Sequence, residues 1–121
     1  MQPSSKPKIL MIGNDPSLSY LIGRYVEQSG YGITRMQMAP TVAETRALRP
    51  TAILFQSVET LETSQARMKE LAECDVPVLV CSSVTDEARA RELGADRCLL
   101  HPLTYDSVLA ALAGTSRQSS P

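Results

Sequence analysis

The stretch from Lys8 to Gly30, KILMIGNDPSLSYLIGRYVEQSG, restricts the fold more than any other part of the chain. Ile9-Leu10-Met11-Ile12 is an unbroken apolar run, the pattern of a strand buried on both faces, as in a parallel sheet. Gly13-Asn14 turns the chain and Asp15-Pro16 opens a helix. Asp15 is suited to accept from an orphan N–H of the first turn, and Pro16 suits a position where no N–H is needed. Leu18, Leu21, Ile22, Tyr25 and Val26 then recur at helical spacing, so one apolar stripe must lie on a sheet. Gly30 closes the helix as a left-handed cap. Strand, tight turn and amphipathic helix make the first half of a βαβ unit. Chemistry in such sheets collects at the carboxyl ends of the strands, here at Gly13-Asn14.

The same alternation continues. Tyr31–Met38 alternates apolar and polar like an edge strand, and Pro40-Thr41 leads a helix from Val42 to Leu48. Ala52–Phe55 and Val76–Cys81 are two more apolar strands, with a helix expected between them from about Leu61 to Cys74. Its inward residues are Leu61, Met68, Leu71 and Ala72. Asp86–Leu93 is a short helix stopped by Gly94, and Cys98–Leu100 is the last strand. Thr104 caps a closing helix that buries Val108, Leu109 and Leu112 and ends at Gly114. The result is an α/β (βα)5 three-layer sandwich, flavodoxin-like, with parallel strand order 2-1-3-4-5. Residues 8–114 form the domain; residues 1–7 and 115–121 are Ser/Pro-containing tails expected to fray.

The bulk numbers remove several function classes. At 121 residues the chain is one domain with room for a real core. A net charge of −1 and no run of Lys or Arg give no footprint for nucleic acid. Cys74, Cys81 and Cys98 show no metal-ligand spacing, as expected of reduced, buried thiols in a cytoplasmic protein. The polar start MQPSSKPK lacks the apolar segment of a signal peptide, and no apolar run reaches membrane-spanning length.

ILMIGNDPSLSYLI, RPTAILFQS, VPVLVCSS and GADRCLLHPL resemble the first, third, fourth and fifth strand regions of bacterial response-regulator receiver domains. The likeness runs from Lys8 to Ala113. It implies a metal-holding acidic pair at Gly13 and Asn14, a phosphate-accepting Asp at Gln56, a Ser/Thr at Ser82 and a Lys at His101. Only Ser82 is kept. Mg²⁺ needs hard carboxylate oxygens and an acyl phosphate needs a nucleophilic carboxylate, and these positions supply neither. The chain therefore resembles a degenerate member of the family, a pseudo-receiver, with no enzymatic activity and no cofactor implied. Signalling by binding a protein partner follows, with homodimer formation through the fourth-helix, fifth-strand and closing-helix face as one form. Arg89, Arg97, Tyr105 and Leu109 are the candidates on that face. The alternative is a small-molecule or nucleotide site at the strand ends, with Asn14, Gln56, Ser82 and His101 as polar contacts.

Individual residues admit a sharp and a plain reading. Asp15 is a lone metal ligand or, more simply, a helix cap. Ser57 is a substitute phosphate acceptor or a loop serine facing away from the Gln56 side. His101 binds an anion or senses pH near 6.5, or it joins Gln56 and Ser82 in a neutral hydrogen-bond network, which is the reading favoured here. Cys81 and Cys98 are a redox pair on neighbouring strands or two buried thiols, and burial is favoured. The ARARE run at 88–92 is either a docking surface or a solvated helix face.

Overall fold

A computed structural model describes residues 7–116. Five strands form one parallel sheet in the order β2-β1-β3-β4-β5. They are β1 (Lys8–Ile12), β2 (Gly32–Met36), β3 (Ala52–Phe55), β4 (Val78–Ser82) and β5 (Arg97–Leu100). The helices are α1 (Pro16–Gln28), α2 (Val42–Leu48), α3 (Val58–Thr63), α4 (Gln65–Leu71), α5 (Glu87–Glu92) and α6 (Tyr105–Ser116). The flavodoxin-like topology expected from the sequence is the one present.

Alternation along the strands divides the core into two layers. Ile9, Met11, Leu54, Leu79, Cys81 and Leu99 face Ile22 and Val26 of α1 and Val108 and Leu112 of α6. Leu10, Ile12, Ile53, Phe55 and Val80 face the other way, onto Leu61, Leu71 and Ala90. Each fully buried Leu, Ile, Val or Phe contributes about 1.5–3 kcal/mol relative to exposure. The central strands β1 and β3 are buried almost without remainder, which explains their uninterrupted apolar sequence. No helix among the described residues is long and apolar enough to cross a membrane.

Several boundaries differ from the sequence reading. The third helix begins at Val58, because Ser57 caps it by accepting from the Thr60 N–H at 3.1 Å. It breaks at Ser64, whose hydroxyl donates to the Thr60 carbonyl at 2.8 Å, and resumes as α4. After Leu71 the chain tightens into a 3-10 turn, Ala72–Cys74, and this change of phase leaves Ala72 exposed rather than inward. β4 starts at Val78, whose N–H donates to the Asp96 carboxylate at 2.7 Å, so Val76 and Pro77 lie ahead of the strand. β2 is shorter than the alternation suggested; Tyr31 is buried and its hydroxyl donates to the Leu112 carbonyl at 3.2 Å. A 3-10 turn, Val84–Asp86, precedes α5, and β5 already includes Arg97.

In α6 the inward residues are Val108, Ala111 and Leu112; Leu109 is 38% exposed. Thr104 caps this helix as expected, accepting from the Ser107 N–H at 3.1 Å. Gly114 lies within the helix, which runs to Ser116. Of the two expected tails, residues 1–6 and 117–121 lie outside the described residues. At the two edges of the sheet an arginine covers a helical glycine. Arg35 of β2 reaches across Gly23, and Arg97 of β5 lies where a Cβ on Gly114 would come within 2.6 Å of its guanidinium carbon.

Candidate functional site

The carboxyl ends of β1, β3, β4 and β5 bring together Gly13, Gln56, Ser82 and His101 around one end of the sheet. Gly13 has φ +145 and donates its N–H to the Met36 carbonyl at 2.9 Å. Asn14 is exposed. Asp15 caps α1, accepting from the Leu18 N–H at 3.1 Å, which is the plain reading of Asp-Pro.

Gln56 is 4% exposed. Its backbone N–H donates to the Ile12 carbonyl at 2.9 Å, and its side-chain Oε1 accepts from the Asp15 N–H at 2.9 Å. A Cβ placed on Gly13 would fall 2.7 Å from Gln56 Cδ and 2.8 Å from Cγ. The amide thus lies over Gly13, with its oxygen turned to the β1–α1 turn. The amide Nε2, and the Oγ of Ser82 (3% exposed), have no hydrogen-bond partner among the described residues.

Both atoms belong to residues lining a cleft of about 350 Å³ between the strand ends and the starts of α3 and α5. Ser57, Cys81, Ser83 and His101 line it as well. Glu59, Glu62, Asp86 and Arg89 border it, and Arg89 forms an ion pair with Glu62 that ties α5 to α3. Ser57 Oγ is engaged with Thr60 as the α3 cap, which is the plain reading of this serine.

The neutral network expected among His101, Gln56 and Ser82 does not form. His101 is exposed, its N–H donates to the Ser82 carbonyl at 3.1 Å, and a cis peptide joins it to Pro102. Its backbone therefore completes the β4–β5 end and the residue lines the cleft, while Gln56 Nε2 and Ser82 Oγ stay without a partner among the described residues.

The cysteines do not pair. Cys81 stands opposite Leu99 and Cys98 opposite Val80, which puts the two thiols on opposite faces of the sheet. Burial pushes the Cys81 thiol up to about 12, so it stays protonated and unreactive at neutral pH.

The four residues expected on one interaction face have different surroundings. Arg89 is held at the cleft by Glu62. Tyr105 lies against α1, its ring 6.1 Å from that of Tyr25 and its hydroxyl donating to the Gln28 carbonyl at 3.3 Å. Arg97 and Leu109 are exposed on β5 and α6. Tyr105 thus joins the first turn of α6 to the end of α1.

No family model matches the chain. It is 26% identical over 124 aligned positions to the DNA-binding dual master transcriptional regulator RpaA of Synechocystis sp., covering 93% of this chain and 50% of that protein. The chain thus spans about half the length of this curated relative. Full-length FixJ from B. japonicum superimposes with a TM-score of 0.73 at 23% identity, over 98% of this chain and 61% of that one. The chemotaxis response regulator CheY4 of Vibrio cholerae gives 0.68 at 16% identity, over 92% of this chain and 99% of that one. The non-phosphorylated HemR receiver domain from Leptospira biflexa gives 0.62 at 21%, over 96% and 98%. The chain has the receiver fold.

The residues at this end of the sheet do not fit a magnesium ion. Gly13 has no side chain, Asn14 and Gln56 carry neutral amides, and the Asp15 carboxylate faces the Leu18 N–H. Two features of this receiver fold escaped the sequence. The fit of Gln56 over Gly13 depends on a side-chain conformation with no sequence signature, although a glycine directly after a buried strand hints at close approach. Asp96 joins β4 to β5 by accepting from the Val78 N–H, and its own N–H donates to the Val78 carbonyl at 2.8 Å.

Proposed function

We propose that this is a phosphorylation-independent, non-enzymatic receiver-like signalling domain that acts in the cytoplasm by binding a protein partner. The observation that carries this reading is the Gln56 amide in the acceptor place, covering Gly13 and tied to the Asp15 N–H. An amide cannot form an acyl phosphate, and no carboxylate stands at Gly13 or Asn14 to organise the transfer. What the fold retains is surface. Arg97 and Leu109, on β5 and α6, are the exposed part of the side on which a partner or a second copy would dock, with Arg89 nearer the cleft. Partner binding would then depend on shape and charge that are already in place, because no covalent charge arrives to shift a two-state equilibrium.

Acetyl phosphate with Mg²⁺ tests the reading by intact-protein mass spectrometry. The expected mass is unchanged. A phosphate adduct that disappears in Ser57→Ala would replace this reading with one in which Ser57 is the acceptor.

A further inference from the structure

The amide of Gln56 has only one way to lie. The Asp15 N–H is a donor and must face the amide oxygen, so the NH₂ group is the end left for the cleft. Ser82 adds a hydroxyl that is equally unpartnered and equally buried. Buried polar groups in folded proteins are almost always hydrogen-bonded, so a donor pair lining an open cleft is the mark of a site whose second half comes from outside. The Gln56 end calls for an oxygen acceptor.

The charge around the mouth decides which kind. Glu62 and Arg89 neutralise each other, and Glu59 and Asp86 remain as two carboxylates without an ion pair among the described residues. An anion entering here approaches net negative charge. An uncharged carbonyl does not.

We infer that the cleft floored by Gln56 and Ser82 binds a neutral carboxamide carbonyl, which accepts from the Gln56 NH₂ and the Ser82 hydroxyl. The carbonyl belongs either to a peptide backbone or to a free primary amide. This goes beyond the signalling reading and fails separately from it, since a phosphate adduct bears on that reading alone and amide binding on this one.

The test is a titration of the ¹⁵N-labelled full chain followed by NMR, with the Gln56 side-chain NH₂ resonances identified by their loss in Gln56→Met. N-methylacetamide is expected to shift those resonances and the Ser82 amide along one saturating curve in the millimolar range. Acetate and inorganic phosphate at equal concentration should produce shifts at least tenfold smaller. Ser82→Ala should weaken N-methylacetamide binding several-fold with the rest of the spectrum unchanged, which keeps the test open if Gln56→Met fails to fold. Glu59→Gln with Asp86→Asn should raise acetate binding selectively. Tighter binding of N-acetylglycine N-methylamide supports a peptide source, and tighter binding of propionamide a free amide. Linear shifts that never saturate, or a phosphate response at the Gln56 NH₂ stronger than the amide response, would overturn the inference.

Discussion

The Gln56 side chain lies across the space that a Cβ on Gly13 would occupy, 2.7 Å from its Cδ, while Gly13 itself holds φ +145. Two separate penalties therefore meet any larger residue at position 13, one steric and one of the backbone. Gly13→Ala should cost roughly 2–4 kcal/mol by urea denaturation. In a Gln56→Ala background the steric share disappears, so the double-mutant cycle should show a coupling of about 1–3 kcal/mol. Additive effects would mean that the two residues are not in register.

The same relationship governs any attempt to build a phosphate switch into this site. Beryllofluoride with Mg²⁺ should leave the amide shifts of Ser82, Cys98 and His101 unmoved. Gln56→Asp alone should not restore a response, because Gly13 and Asn14 still offer no carboxylate. Gly13→Asp is sterically open only once Gln56 is shortened, so Gly13→Asp, Asn14→Asp and Gln56→Asp must be introduced together. Saturating shifts at those three amides in the unaltered chain would contradict the phosphorylation-independent reading.

Phe55 ends β3 with no exposed surface and sits among Ile12, Leu61 and Val80 in the second core layer. Phe55→Ala should lower stability by about 3–5 kcal/mol through lost burial and the cavity left behind. An unchanged denaturant midpoint would place this side chain outside the core.

Cys81 makes stability depend on pH on the alkaline side. Folded, its thiol holds the proton to about 12, against an ordinary value of 9.0. Between those values the unfolded chain binds fewer protons than the folded one, so stability is complete below pH 9 and falls as pH rises toward 12. Between pH 9 and 10.5 the loss should be on the order of 1–2 kcal/mol, and Cys81→Ala should flatten that slope. Parallel pH profiles for the two proteins would assign the alkaline loss to other groups.

Periodicity carried the architecture because the central strands are apolar on both sides. Ile9–Ile12, Ala52–Phe55 and Val78–Cys81 have no other use than burial, and three such strands separated by helices leave few topologies. It failed where helices are short or uniformly apolar. Ser57 and Ser64 each engage local groups, and those bonds, invisible in a hydropathy pattern, divide one expected helix into two. In α6 the run Val108–Ala113 is apolar at every position, so nothing in its spacing favours Ala111 over Leu109 as the inward residue. That Gly13, Gln56, Ser82 and His101 meet at one end of the sheet follows from the strand boundaries and order. Its bonding was not: the Asp15 N–H, a backbone group, claims Gln56 Oε1, and His101 joins through its main chain rather than its ring.

The arginines at the sheet margins bear on self-association. An outer strand of a sheet offers a row of unpaired N–H and C=O groups that templates further strands, and charge placed there is a common defence against fibre growth. Here both outer strands, β2 and β5, carry such a charge, and each lies over a helical glycine beside it. A strand added from another molecule at either edge would have to settle beside the Arg35 or Arg97 charge. Concentrated solutions should therefore resist ordered aggregation until those two charges are removed.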